Sequence, residues 1–177
     1  MPTDKKTLRD LEVAYKTEIA GHLFYTAAAK MVNDKKGKNI FKHLAKEELE
    51  HMRVLTNIAG NIKKGGEWVK YETALKASKG VKSLPIFPKR DDMVKRLAKN
   101  QTDLNAIYMA IESEDAAVTF YTRLLKAAKS PTEKVTLTKI LEMEKGHLKI
   151  LRWESESLIN TGFWAGNMEF SVEKEAD

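Results

Sequence analysis

EIAGHLFY at residues 18–25 and ELEH at 48–51 return later in the chain as EDAAVTFY at 114–121 and EKGH at 144–147. Glu18, Tyr25, Glu48 and His51 therefore have counterparts in Glu114, Tyr121, Glu144 and His147. Each pair is separated by 96 positions (114−18, 121−25, 144−48 and 147−51). A constant offset over four chemically distinctive positions reads as a duplicated helical hairpin whose two copies face each other across a shared centre.

The residues around these stretches have helical periodicity. Leu11, Ala14, Glu18, Gly21, Tyr25, Ala28 and Val32 recur in steps of three and four, the spacing of one helix face in a bundle seam. The second copy runs Ile107, Ala110, Glu114, Ala117, Tyr121, Leu124, Ala128. Phe41, Leu44, Glu48, His51, Leu55 and Ile58 form another such stripe. Leu137, Ile140, Glu144, His147 and Leu151 form the fourth. Short polar breaks, around Gly37 and before Pro131, turn each second helix back antiparallel to its first.

The expected architecture is all-α: a four-helix bundle made of two duplicated antiparallel hairpins joined by a long crossover. The helices are placed at about 7–32, 38–59, 102–128 and 131–160, and the crossover at 60–101. Residues 1–165 are read as one domain and 166–177 as a tail. Thr7 is read as the first cap, Gly60 as the stop of the second helix and Gly162 as the stop of the last. Within the crossover, punctuated by Gly65, Gly66, Pro85 and Pro88, short helices are expected at 67–77 and 91–98. The aromatic part of the tail, Phe163, Trp164, Met168 and Phe170, is expected to pack back on the bundle.

Composition narrows the function classes. At 177 residues, 42% hydrophobic and 32% charged, the chain fits one globular domain with a sizeable core. No apolar run approaches the ~20 residues of a membrane span, and MPTDKKTLRD lacks a signal-type apolar region, so a cytoplasmic address is expected. The absence of cysteine excludes disulfides, thiolate catalysis and iron–sulfur centres within this chain. The charge of +6 comes mostly from scattered lysines, without the clustered arginines and interleaved aromatics of a nucleic-acid surface. No Gly-rich phosphate loop follows a strand, so no nucleotide site is expected.

The chemistry lies in the seam. Four glutamates converge at one level of an apolar core, where isolated carboxylates cost several kcal/mol or take up protons. Two divalent cations would cancel the four charges, and two neutral imidazoles would complete the coordination. Spacing i, i+3 puts Glu48 with His51, and Glu144 with His147, on one helix face. One Glu from each of two helices and Glu-x-x-His from each of two others is the ligand set of carboxylate-bridged di-iron and di-manganese bundles. The expected metal ligands are Glu18, Glu48, His51, Glu114, Glu144 and His147. A polar core network that holds no metal, or a helical interaction module, are the competing readings.

On these motifs, over roughly residues 7–160, the chain resembles the rubrerythrin-type di-iron domain of the ferritin-like superfamily. The resemblance implies Glu48 and Glu144 as bridging carboxylates, Glu18 and Glu114 as terminal ones, and one histidine per iron. It implies Tyr25 and Tyr121 as tyrosines hydrogen-bonded near the site with a part in catalysis. It implies two iron ions, manganese or zinc being the alternative occupants, and reduction of hydrogen peroxide or O2 with electrons from an external donor such as a rubredoxin. Oxidation and handling of Fe(II), or non-catalytic metal binding, is the alternative. A homodimer is also expected. Two departures stand out: the cysteine-ligated rubredoxin module is missing, and Ala117 occupies a position where rubrerythrin carries a further glutamate.

Other polar seam neighbours are read as structural. Glu47 and Glu50 are taken to point to solvent, and Glu154 to sit at a solvated helix end. His22 is taken as a surface residue or a neighbour of the ligands, and His43 falls off the seam. Trp68, Trp153 and Trp164 are read as packing residues.

Overall fold

The computed structural model describes residues 5–78 and 92–166. Among them are six helices: α1 Lys5–Met31, α2 Lys35–Lys63, α3 Tyr71–Ala77, α4 Asp92–Lys99, α5 Asp103–Ala127 and α6 Pro131–Thr161. There is no strand among the described residues. α1 packs along α2 and α5 along α6, each pair closed by three residues, 32–34 and 128–130.

Local chemistry sets the helix starts. Asp34 caps α2, its carboxylate accepting from the amides of Lys36 and Gly37. Thr102 caps α5 by accepting from Asn105 N–H. α6 opens with a reciprocal capping box between Ser130 and Glu133 and has Pro131 in its first turn. α6 ends at Gly162, whose φ of 76° suits a residue without Cβ.

Four boundaries differ from the sequence expectation. α2 begins at Lys35, where Asp34 caps it, so Gly37 lies inside the helix and not in the break. α3 begins only at Tyr71, not at 67. α1 already runs from Lys5, so Thr7 lies inside it and is not its cap. α2 continues through Gly60 to Lys63. A lone glycine weakens a helix by only about 1 kcal/mol, and the stop comes where Gly65 turns left-handed, φ 82°, with its N–H on Ile62 C=O.

Every residue of the four stripes is buried. They form two apolar clusters at opposite ends of the bundle. One gathers Phe24, Tyr25, Phe41, Ile107 and Leu151; the other gathers Leu11, Ile58, Tyr121, Leu124 and Leu137. α3 packs into the second cluster through Tyr71 and Ala74, and α4 into the first through Leu97. The two crossover helices thus sit at opposite ends. Pro85 and Pro88, and the tail residues Met168 and Phe170, fall outside the described residues.

Trp164 returns onto the bundle, against the edge of Phe41 with ring centroids 5.7 Å apart. Its indole N–H donates to Asp103 at 2.8 Å. A Cβ at position 37 would overlap the Trp164 ring, so the glycine there makes the close approach possible. Phe163, expected to pack, is instead 73% exposed, and Trp153 is 47% exposed. In both cases the side chain falls on the outer face of the turn or helix that carries it.

Candidate metal centre

Between the two apolar clusters, α1 and α2 bring in Glu18, Glu48 and His51; α5 and α6 bring in Glu114, Glu144 and His147. None of the six is more than 3% exposed. Their donor atoms form two overlapping groups. Glu18, Glu48, His51 and Glu144 offer one atom each within 4.8 Å of one another, and so do Glu48, Glu114, Glu144 and His147. Glu48 and Glu144 belong to both.

His51 Nδ1 lies 3.2 Å from Glu18, 3.6 Å from Glu48 and 3.0 Å from Glu144. His147 Nδ1 lies 3.6 Å from Glu48, 3.5 Å from Glu114 and 3.5 Å from Glu144. The two imidazoles stack, 5.9 Å between centroids. The tyrosines cross between hairpins: Tyr25 O–H donates to Glu114, and Tyr121 O–H to Glu18. Contacts on one side thus reproduce those on the other with the copies exchanged, a pseudo-two-fold arrangement.

Electrostatics follow from this crowding. Burial and the charges of Glu18 and Glu144 push the Glu48 carboxyl well above its ordinary range. Burial and the Glu144 charge raise Glu114 to about 7, against the pull of His147. Glu144, although buried, is held low because both imidazoles face it. Burial would lower both histidines, but the carboxylates around them outweigh it and raise them well above the usual imidazole value. Burial and adjacent carboxylates keep Tyr25 and Tyr121 protonated far above the phenol range. These are the marks of one tightly coupled cluster.

Sequence periodicity misses two residues. Glu47, read as pointing to solvent, accepts from His147 Nε2 at 2.7 Å and lies 3.7 Å from the half-exposed His43. Burial raises its carboxyl, but the His147 hydrogen bond and the surrounding imidazoles bring it below the ordinary range. Glu154, read as a solvated helix end, is fully buried and accepts from the amides of Ala165 and Gly166 at 2.8 Å each. The returning chain covers it, which no helical period could show. His22 is half-buried and bonds Ala45 C=O through Nδ1 at 2.7 Å, away from the cluster's carboxylates. Gly21 faces Glu48; a Cβ there would stand 3.3 Å from the carboxyl carbon.

The donor set fits divalent transition metals. Among the described residues, Glu114 Oε2, Glu144 Oε1, His147 Nδ1 and His51 Nε2 are buried without hydrogen-bond geometry to any neighbour, and all four belong to residues of the two overlapping groups. Buried polar atoms are almost always satisfied. Carboxylate oxygens and imidazole nitrogens suit manganese, iron and zinc.

Fold and site together define an all-α bundle with a buried carboxylate–histidine cluster that could hold metal. A scan against family models found the rubrerythrin model matching residues 10–154. The chain belongs to the rubrerythrin family and is ferritin-like in fold. Comparison with curated proteins and with solved structures found no match. Among the described residues no helix is long and apolar enough to cross a membrane.

Proposed function

We propose that this chain is a non-haem di-iron redox protein that reduces hydrogen peroxide, or O2, with electrons from an external donor. The observation that carries the proposal is the sharing of Glu48 and Glu144 by both four-residue groups. Two cations held side by side need carboxylates reachable from both, and these two are so placed. Glu18 with His51, and Glu114 with His147, complete each half.

The chain's own residues do three things. Four carboxylates neutralise two divalent charges, leaving the imidazoles neutral donors. Tyr25 and Tyr121 keep their protons and donate them as hydrogen bonds to Glu114 and Glu18, fixing both terminal carboxylates. The apolar clusters at either end exclude water. Two ferrous ions, when bound, supply the two electrons that with two protons convert one H2O2 into two waters. Re-reduction is assigned to an external donor such as a rubredoxin.

Ala117 favours a second reading, Fe(II) oxidation and iron handling. Its buried methyl stands where the rubrerythrin pattern has a further carboxylate. Anaerobic loading with Fe(II), followed by peroxide and a chemical reductant, tests both. Two ferrous ions oxidised per peroxide, with iron retained over repeated turnovers, is the expected result. Rapid oxidation with ferric ion leaving after each turnover would replace peroxide reduction by iron handling. A chain that binds two irons and consumes neither peroxide nor O2 would contradict both. We further propose a homodimer; light scattering showing a monomer at micromolar concentration would contradict that.

A further inference from the structure

The two halves of the centre are unequal in how their histidines are held. His147 has its Nε2 2.7 Å from Glu47 Oε2. A carboxylate only accepts, so the proton of this bond sits on Nε2, and Nδ1, turned to Glu48, Glu114 and Glu144, is the nitrogen that gives up its proton to a metal. His51 also turns Nδ1 to the carboxylates, but its Nε2 is buried with no hydrogen-bond partner among the described residues. The 96-residue offset pairs Glu47 with Met143, whose thioether is a weak acceptor. Nothing in the duplicated pattern therefore supplies His51 with a matching carboxylate.

We propose that Glu47 is a positioning residue that fixes the tautomer and ring orientation of His147, so that the Glu114–His147 half of the centre takes up divalent metal before the Glu18–His51 half. This rests on the metal-centre assignment above. Carboxylates behind ligand histidines raise metal affinity by about 10- to 100-fold, and among the described residues only the His147 half has such a carboxylate. The half-exposed side chains of Glu47 and His43 also place this support at the protein surface, while His51 is enclosed beside the Tyr71 ring.

Titration of metal-free protein with Zn(II) against a competing chelator, with histidine-ring NMR, tests the order of loading. Wild type is expected to bind two ions in two resolved steps. After the first equivalent, His147 should be ligated through Nδ1, with an Nε2 proton protected from exchange, while His51 remains unligated. Glu47→Met should weaken the tighter step about 10- to 100-fold and leave the other unchanged. Glu47→Gln, which still offers an accepting oxygen, should restore most of the loss and the protected Nε2 proton. Should Glu47→Met fail to fold, the wild-type and Glu47→Gln spectra decide. The proposal is overturned if His51 is ligated first, or if Glu47→Met leaves both steps unchanged or weakens them equally. Failure to bind two equivalents would instead remove the metal centre itself.

Discussion

Tyr25 on α1 gives its hydroxyl proton to Glu114 on α5, across the interface between the hairpins, and Tyr121 returns the same bond to Glu18. Each of these two carboxylates thus takes a tyrosine hydrogen bond from the copy of the hairpin it does not belong to. These two bonds tie one hairpin to the other through the centre.

Tyr25→Phe removes the donor to a carboxylate oxygen that stays buried. Leaving a buried polar group unsatisfied costs about 1–3 kcal/mol, so metal-free protein should lose that much in urea unfolding at pH 8. Tyr121→Phe should behave alike through Glu18. A loss below about 0.5 kcal/mol, the range of ordinary surface substitutions, would mean the hydroxyls are not structural donors.

Metal should stabilise the chain most at high pH. Glu48 and Glu114 have folded values above their unfolded ones, Glu114 at about 7. Metal-free protein therefore holds extra protons between the ordinary carboxylate range and neutrality, and loses stability as pH rises through that window. The two histidines, also raised, act with the same sign above the usual imidazole value. Glu144, held low, stabilises throughout that range and loses its contribution only in strong acid. Bound cations replace these protons and contribute about 2.7 kcal/mol at a hundredfold excess over Kd. The melting gap between metal-loaded and metal-free protein should widen from pH 5 to pH 8; a constant gap would contradict the coupling.

The seam is legible in the sequence because it is doubly encoded, once by helical period and again by the 96-residue offset. All six cluster residues and both tyrosines lie on it and meet in the structure. Glu47 is not legible. It sits one residue off the stripe, its partner lies 100 positions away, and its counterpart is Met143, so neither signal marks it. Glu154 lies on the stripe, but its partners are backbone amides of the returning segment, which carry no side-chain signature. Gly60 misleads because glycine stops a helix only where the chain turns left-handed, and that happens at Gly65.

Trp164 and Glu154 latch the returning segment. Trp164→Ala removes a large buried ring from against Phe41 and Gly37 and should cost about 3–5 kcal/mol. Glu154→Ala leaves two amides without an acceptor, and should speed limited proteolysis after Gly162 without altering metal content. Unchanged proteolysis would show that the segment is held otherwise.

The central claim, two metals sharing Glu48 and Glu144, is tested most directly by counting metal per chain in four variants reconstituted in parallel with wild type. Wild type should hold two. Glu48→Ala and Glu144→Ala should disturb both ions and leave fewer than one, while His51→Ala and His147→Ala should each retain about one. Wild type holding two ions while Glu144→Ala and His147→Ala each lose only one would contradict the shared centre.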